Sequence, residues 1–376
     1  MPDLRVALVA PSLDILGGQA VQADRLLRAW RGDPIVDAYL VPINPPLPRP
    51  LRAISHVKYA RTILNELTYG PLLFRELARA DVVHVFSASY TSFLLAPLPA
   101  IAVARTLGKP VVLNYRSGEA PDHLGRSTIA RRTIARVERN VVPSGFLAGV
   151  FRQFGIPSTI IPNIVDLERF RFRRRIPLRP RLLSTRNLDA LYNVGTTLQA
   201  FGLVQGRWPD ASLTLVGGGR EEAALRRQAG ELGLRNVIFA GRLRPDQIAD
   251  AYASHDIYLQ SPDIDNMPTS VIEAFASGLP VVSTNAGGIP HILDDGREGL
   301  LAPCGDADAL AGHVLRLLNN PVWAQQLADT AFAGCRAYTW PSVRGQWLDV
   351  YRGVAANQAA PAPKTVLAAE ASDDAA

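Results

Sequence analysis

The sequence predicts an α/β protein made of two doubly wound domains that face each other across a cleft. Three observations predict this fold class. Short apolar runs alternate with helix-length segments along most of the 376 residues, as in parallel sheets with crossover helices. The alternation stops in a segment of prolines and arginines at residues 162–181 and then restarts. A chain of this length with 48% hydrophobic residues can bury more than one core, so we place a domain boundary in this segment.

Composition excludes several classes of protein. No basic and apolar leader precedes the first predicted strand, so we expect no secretory signal. The longest apolar run, residues 93–104, is broken by two prolines and is too short to cross a bilayer. Cys304 and Cys335 lie too far apart in sequence to suggest a disulfide framework or a metal site. We therefore expect a cytoplasmic protein.

In the N-terminal half, predicted strands and helices alternate from residue 5 to residue 161. The predicted strands are 5–10, 35–43, 81–86, 110–115, 141–143 and 159–161. The predicted helical segments are 19–30, 51–79, 92–107, a basic helix at 126–139, and 145–154. The proline-rich residues 42–50 and the polar residues 116–123 are predicted loops.

The C-terminal half repeats the rhythm. Its predicted strands are 182–184, 212–216, 237–240, 255–260, 279–284 and 299–302. Its predicted helices are 193–204, 220–232, 245–253, one near 268–277, 306–318, 322–333 and 341–351. We therefore predict an N-terminal domain (1–162), an irregular, unpacked linker (163–180), a C-terminal domain (181–335), a C-terminal helix (336–354) that packs back toward the N-terminal domain, and a disordered tail (355–376) rich in alanine, proline and acidic residues.

The most informative stretch is residues 261–290, SPDIDNMPTSVIEAFASGLPVVSTNAGGIP. Pro268 lies in the first turn of a predicted helix of about ten residues, which Gly278 and Pro280 end. The strands on either side place the helix N-terminus at the carboxyl edge of a parallel sheet. Ligands bind at this edge, and the free N–H groups and dipole of a helix N-terminus favour an anion.

A second candidate for anion binding lies after the first strand. Gly17 and Gly18 stand at the start of a predicted helix, where a phosphate could approach the backbone closely. The same pair is also typical of a plain tight turn. Both interpretations remain open for these two residues taken by themselves.

The 261–290 stretch resembles the signature of glycosyltransferase family 4, a group of retaining enzymes with the GT-B fold. Two acidic residues with seven residues between them, Asp265 and Glu273, occur with a match to EAxAxGxPVVxTxxGGxP that begins at Glu273. Residues 161–170, IPNIVDLERF, resemble the interdomain signature of that family. Further pieces occur in the expected order over roughly residues 6–351: Gly17 with Gly18, Arg186, Gly217 with Gly219, and the run 299–306.

The resemblance implies a retaining, metal-independent glycosyltransferase. It would move a sugar from a nucleotide-diphosphate-sugar donor to a glycan, lipid or small-molecule acceptor, with no cofactor and no nucleic acid partner. The diphosphate gains charge as the glycosidic bond breaks, so the site must stabilise a leaving anion. Two alternatives remain open at this point: a sugar-nucleotide epimerase with a GT-B-like fold, and a sugar-nucleotide-binding protein without catalysis.

The family pattern also implies roles for individual residues. Glu273 would bind the ribose hydroxyls, Asp265 would contact hydroxyls of the donor sugar, and Arg186 would clamp the diphosphate; these three are the catalytic candidates. The full set of donor-binding candidates is Gly17, Gly18, Arg186, Tyr192, Gly217, Asp265, Asn266, Met267, Pro268, Thr269 and Glu273.

The sequence departs from the family at three places. Asp265 stands where glutamate is usual. Tyr192 stands where a lysine is expected, so one positive charge is missing or comes from elsewhere, and the tyrosine hydroxyl could donate one hydrogen bond but no charge. The histidine often found after the strand at 110–115 is absent, and we expect His84 and His123 to be structural. The acceptor-side candidates are Asn114, Arg116 and Glu119.

Two further signals leave alternatives open. Asp263 and Asp265 form an aspartate pair of the kind that holds a divalent metal in another glycosyltransferase fold, but the helix signature that follows argues against a metal. The residues 122–181 carry thirteen arginines against four acidic residues. The basic segment 126–139 could therefore bind the anionic inner face of a membrane, or it could be a solvated helix.

Overall fold

The computed structural model describes residues 2–14, 17–45 and 58–359, with side chains for all of these except 58–67 and 357–359. Its described residues form two parallel sheets of six strands each, and the predicted α/β fold with two Rossmann-like halves is confirmed. The predicted exposed loop at 42–50 and the predicted disordered tail fall partly outside these residues.

The first half contains six strands and seven helices among its described residues. They are β1 (Leu4–Ala10), α1 (Gly18–Ala29), β2 (Val36–Pro42), α2 (Lys58–Leu77), β3 (Val82–Ser87), α3 (Tyr90–Leu95), α4 (Pro97–Thr106), β4 (Val111–Tyr115), α5 (Ala120–Arg126), α6 (Thr128–Ile134), β5 (Arg139–Val142), α7 (Gly145–Gln153) and β6 (Thr159–Ile160). The strand order is β2-β1-β3-β4-β5-β6.

The second half follows the same plan. It comprises β7 (Arg181–Ser184), α8 (Val194–Arg207), β8 (Ser212–Val216), α9 (Glu222–Glu231), β9 (Val237–Gly241), α10 (Pro245–Ser254), β10 (Ile257–Leu259), α11 (Thr269–Ala276), β11 (Val281–Thr284), β12 (Leu300–Ala302), α12 (Ala307–Asn319), α13 (Pro321–Gly334) and α14 (Trp340–Ala359). The strand order is β12-β11-β10-β7-β8-β9. Helices on both faces bury the central strands, which explains why β3 and β4 are buried at every position.

The last helix, α14, packs against the first sheet. Val343, Trp347 and Tyr351 join the core formed by residues of β1, β3 and α1, and the ring of Trp340 contacts the edge of Trp30 at a centroid distance of 4.6 Å. The helix is longer than predicted, because it continues to Ala359 where the sequence predicts a disordered tail from residue 355. Ala355, the first residue beyond the predicted end, still packs against this core.

Three local predictions in the first half are wrong in their bounds. The helix predicted at 92–107 is two helices, because Pro97 begins a new helix at its first turn after the break at Ala96. The predicted loop at 116–123 ends early, since α5 begins at Ala120. The basic helix predicted at 126–139 is the short helix α6, and Arg139 already belongs to β5, which pairs with β4.

The segment between the two halves is irregular but not unpacked, so the prediction of an unpacked linker is wrong. Arg175 is 1% exposed, and its guanidinium donates to the carbonyl oxygens of Ser277 (2.5 Å), Tyr252 (2.9 Å) and His255 (2.9 Å). Burial lowers the pKa of Arg175 to about 9. An arginine-rich run therefore folds here against the C-terminal half, because one guanidinium can satisfy several backbone carbonyls.

The signature helix α11 is also shorter than predicted. It has eight residues instead of about ten, and Pro268 occupies its N-cap instead of its first turn. Seven of its residues are buried, and Thr269 at its N-terminus and Glu273 one turn later line the cleft. No helix in the described ranges is long and apolar enough to cross a membrane.

Candidate active-site cleft

The carboxyl edges of the two sheets face a cleft of about 610 Å³. All eleven donor-binding candidates line this cleft. Of the three acceptor-side candidates, Arg116 and Glu119 line it, and Asn114 lies buried behind Arg116. The structure thus brings the predicted residues together at one place, and their roles stay predictions.

Arg186 follows β7 and forms a buried ion pair with Asp265. Its Nη1 also donates to Ser270 Oγ at 3.1 Å, near the start of α11. Its Nε is buried and has no hydrogen-bond partner among the described residues. Burial raises the pKa of the Asp265 carboxyl, and the adjacent charge of Arg186 acts against that shift. Arg186 therefore retains a free donor in a place where water is scarce.

Tyr192 holds the guanidinium of Arg186 from another side. The Arg186 Cζ lies 4.1 Å from the centroid of the Tyr192 ring, a cation–π contact. The sequence suggests only a hydroxyl donor at this position, whereas the structure uses the ring face. Tyr192 therefore adds no charge but fixes the orientation of the positive charge that is present.

Gly217 explains how the β8 loop approaches Arg186 so closely. Its φ is +143°, a value that favours glycine, and a Cβ at this position would overlap the carbonyl oxygen of Arg186. The backbone after β7 and the backbone after β8 are therefore packed directly against each other. This contact fixes the main chain from which the Arg186 side chain extends.

The segment that leads into α11 is tied to the N-terminal half. Asn163 donates from Nδ2 to the carbonyl oxygen of Met267 at 3.0 Å and from its backbone N to the Met267 sulfur at 3.2 Å. Asn266 contacts Ser144 Oγ and donates from Nδ2 to the carbonyl oxygen of Arg116 at 3.4 Å. The start of α11 is thus positioned by residues from both sides of the cleft.

Glu273 is 9% exposed and lies on the cleft side of α11. Its Oε1 accepts a hydrogen bond from Arg25 Nη2 at 2.9 Å, and its Oε2 accepts one from the Tyr252 hydroxyl at 3.3 Å. Arg25 also donates to the carbonyl oxygen of Ile164 at 3.0 Å. A carboxylate has about four lone-pair positions, so Glu273 can still accept hydrogen bonds from a ligand.

Arg25 is a cleft residue that the sequence analysis missed. It comes from α1, on the opposite side of the cleft from Glu273. A signal was present: Gly18, Gln22 and Arg25 are spaced i, i+4 and i+7, which puts them on one helix face. All three line the cleft.

A buried polar chain runs from the last helix to the cleft. Tyr351 bonds His84 Nδ1 at 2.8 Å, and Asn114 Nδ2 bonds His84 Nε2 at 3.1 Å. The Asn114 Oδ1 accepts from Arg116 Nη1 at 3.2 Å, and Arg116 Nη2 contacts Asn163 Oδ1. Burial, with a smaller contribution from the charge of Arg116, lowers the pKa of His84 to about 3. His84 is therefore neutral and links structural elements.

The pH dependence of stability tests this assignment of His84. An unfolded histidine titrates near pH 6.5 and the folded one near 3, so between these values the unfolded state binds a proton that the folded state does not. The stabilisation is complete above pH 6.5 and is lost as the pH falls. From pH 7 to pH 5 the wild type should lose about 2 kcal/mol more than His84→Gln in chemical denaturation. Equal losses in both proteins would contradict the buried neutral state.

His123 is likewise packed inside the N-terminal half. It is 2% exposed, and its Nδ1 bonds the Tyr115 hydroxyl at 2.9 Å. Neither His84 nor His123 lines the cleft. Both side chains have structural contacts, as expected from the sequence.

The aspartate pair and the basic segment have separate surroundings. Asp265 is bound by Arg186, and Asp263 accepts a hydrogen bond from Asn193 at 3.1 Å. Within the described ranges, no group of three or more His, Cys, Asp or Glu side chains could hold a metal ion.

In the basic segment, Arg131 donates to the carbonyl oxygens of residues 124 and 125. Contact with an anionic membrane stays a prediction from the sequence.

Comparison with known proteins identifies the family. Residues 6–169 match the family described as Glycosyltransferase Family 4, and residues 179–320 match the one described as Glycosyl transferases group 1. The chain belongs to glycosyltransferase family 4. This family 4 chain is 27% identical over 381 residues to a phosphatidyl-myo-inositol mannosyltransferase of Mycobacterium leprae, which covers 94% of this chain and 97% of the relative.

Solved structures agree on the fold of this family 4 enzyme. HepE of Anabaena, described in complex with UDP and glucose, has a TM-score of 0.73 at 15% identity and covers 93% of this chain and 100% of HepE. Sucrose-phosphate synthase from Thermosynechococcus elongatus has a TM-score of 0.75 at 19% identity and covers 94% of this chain and 100% of its own. These two likenesses confirm the GT-B fold. The family models and the mannosyltransferase relative confirm a glycosyltransferase activity.

Proposed function

We propose that this family 4 glycosyltransferase moves a sugar from a nucleotide-diphosphate-sugar to a glycan, lipid or small-molecule acceptor, with retention of configuration and without a metal ion. One observation carries the proposal. Arg186 lines the cleft directly beside the N-terminus of α11, and its buried guanidinium has an Nε donor without a partner among the described residues. Both are electropositive groups held in place before any ligand arrives, which is what a leaving diphosphate requires.

The remaining donor contacts follow from the same geometry. Glu273 lies one helix turn beyond the start of α11, so its free lone pairs can accept hydrogen bonds from ribose hydroxyls. Asp265, held by Arg186, faces the space in which the transferred sugar would lie. The relative HepE is described with UDP and glucose, which supports a nucleotide sugar as the donor.

The proposed reaction breaks the bond between the anomeric carbon and the diphosphate oxygen, and the electron pair stays on that oxygen. The acceptor hydroxyl oxygen bonds the anomeric carbon on the same face, and its proton passes to the departing phosphate. Asp265 and Glu273 are both engaged by arginines, so the leaving phosphate is the proposed base. A metal ion is unnecessary in this scheme, because Arg186 and α11 supply the positive potential.

A donor panel tests the proposed function. We expect one or more of UDP-, GDP- and ADP-sugars to raise the melting temperature, because a ligand that binds only the folded state stabilises it. With that donor and a mixed acceptor pool, nucleoside diphosphate should be released in the presence of EDTA, and NMR should show a product with the anomeric configuration of the donor. An inverted product, an epimerised donor or a strict metal requirement would contradict the proposal.

A further inference from the structure

Arg116 is a positive charge in the cleft that has no acidic partner in the part of the chain that the structure describes. Two of the arginines that line the cleft, Arg25 and Arg186, form ion pairs with Glu273 and Asp265. The Arg116 guanidinium donates to the amide oxygens of Asn114 and Asn163 and lies 5.5 Å from the centroid of the Phe86 ring. Among the residues whose side chains are described, no carboxylate lies within ion-pair distance of it.

The surroundings of Arg116 make this missing partner costly. Burial lowers the pKa of Arg116 to about 9, and no acidic group acts against that shift. Charges withdrawn from water are normally paired. A guanidinium has five N–H donors, and the structure shows two hydrogen bonds from this one. Arg116 therefore has donors left for an anion that enters the cleft.

The polar chain behind Arg116 holds its guanidinium in one place. Asn114 is 1% exposed and is itself fixed by the neutral His84. On the other side, Asn163 is fixed by its bonds to Met267. A side chain that merely covered apolar surface would not need two buried amides to orient it. The charge is thus preorganised toward the cleft.

Arg116 lies where the acceptor would meet the donor sugar. The loop after β4 touches the segment before α11: a Cβ on Gly118 would lie 2.9 Å from Ile264 Cγ2 and 3.5 Å from the carbonyl carbon of Asp265. Arg116 is two residues from this contact and comes from the half of the molecule opposite Arg186. The diphosphate already has Arg186 and the α11 N-terminus, so Arg116 is available to a second anion.

We propose that Arg116 binds an anionic group, a phosphate or a carboxylate, that is carried by the acceptor. This inference rests on the proposed function and adds a substrate class to it. The planar fork of a guanidinium matches the paired oxygens of either group. The phosphate could belong to a sugar phosphate or to a lipid headgroup, and both sources present the same chemistry to Arg116.

Matched acceptor pairs test the proposal in the full-length protein. With the donor found by the thermal screen, nucleoside diphosphate release is measured for glucose 6-phosphate against glucose, glucuronate against glucose, glycerol 3-phosphate against glycerol, and phosphatidylglycerol vesicles against phosphatidylcholine vesicles. We expect kcat/KM for at least one anionic acceptor to exceed that for its matched neutral acceptor by about tenfold or more. A preference confined to the vesicles identifies a lipid acceptor, and one confined to the soluble pairs identifies a soluble acceptor.

Three variants separate binding from structure. Arg116→Gln should reduce the preference for the anionic acceptor to within about threefold, while the donor KM stays close to that of the wild type. Arg116→Lys should restore part of this preference because it restores the charge. Arg152→Gln removes an exposed arginine of α7 outside the cleft and controls for net charge. If Arg116→Gln instead weakens donor binding, the anion belongs to the donor and the proposal is wrong.

The proposal can fail without the proposed function failing, and the reverse. The acceptor assignment is overturned if turnover shows no preference for any anionic acceptor, or if Arg116→Gln keeps the preference. Either result leaves the proposed transferase function standing. If no nucleotide sugar binds, the proposed function fails, and the anion site is tested by titrating inorganic phosphate and glucose 6-phosphate. If the wild type binds one of these anions and Arg116→Gln does not, the anion site is supported. If both proteins bind equally, or neither binds, the anion site is overturned.

Discussion

Replacing Arg186 with glutamine is expected to lower kcat/KM about 1,000-fold, because the leaving diphosphate loses the charge that stabilises it. The same change leaves the Asp265 carboxylate buried without its partner. Removing one member of a buried ion pair typically costs about 3–5 kcal/mol, so stability should fall as well. Initial rates with saturating acceptor and chemical denaturation measure the two effects.

A double variant separates these effects. Arg186→Gln combined with Asp265→Asn removes both charges, and we expect it to recover most of the lost stability while kcat/KM remains low. The reason is that the amide of asparagine needs no counter-charge, whereas the diphosphate still needs one. If activity returned together with stability, the loss in the single variant would come from unfolding, and Arg186 would have no direct role in catalysis.

Replacing Glu273 with glutamine is expected to raise the donor KM about 10- to 100-fold with a smaller change in kcat. A hydrogen bond from a ribose hydroxyl contributes more to donor binding when its acceptor is charged than when it is neutral. These bonds stabilise the bound donor and the transition state equally, so their loss raises KM more than it lowers kcat. A 2′-deoxyribose donor should bind more weakly than the normal donor to the wild type, and the variant should distinguish the two donors much less.

Arg25→Gln is the matched control for Glu273. Both variants break the ion pair between α1 and α11, but only the Glu273 variant removes the carboxylate. We expect the donor KM of Arg25→Gln to stay within about threefold of the wild type, since the carboxylate oxygens that accept the ribose hydrogen bonds remain. Equal defects in the two variants would mean that Glu273 acts by holding Arg25 and not by binding the donor.

The parts of the fold that the sequence predicts well are those that depend on local patterns of residues. The strand, loop, helix and strand around residues 261–290 depend on apolar runs and on the residues that begin and end the helix. The parallel direction of the strands in both sheets follows from repeating this unit. Because α11 starts at the carboxyl edge of β10, the residues before it had to face the cleft, and Asp265 and Glu273 both line it.

The parts that it missed depend on contacts between distant residues. Arg25 reaches Glu273 across 248 positions, and no local pattern specifies that pairing. The sequence predicts that Arg175 lies in an unpacked linker, but it is buried against carbonyl groups of residues about 80 to 100 positions away. For Tyr192 the sequence suggests a hydrogen bond from the hydroxyl, and only the structure places its ring against Arg186.

The return of α14 to the first sheet affects the order in which the protein can fold during synthesis. Domains generally fold as they emerge, with the N-terminal one first. Here the apolar face that includes Val6, Leu8 and Phe86 is covered by Trp347 and Tyr351, which the ribosome adds only after every strand of the second sheet. The first domain to be made is therefore the last to close its core, and a nascent chain must keep that face from aggregating until α14 arrives.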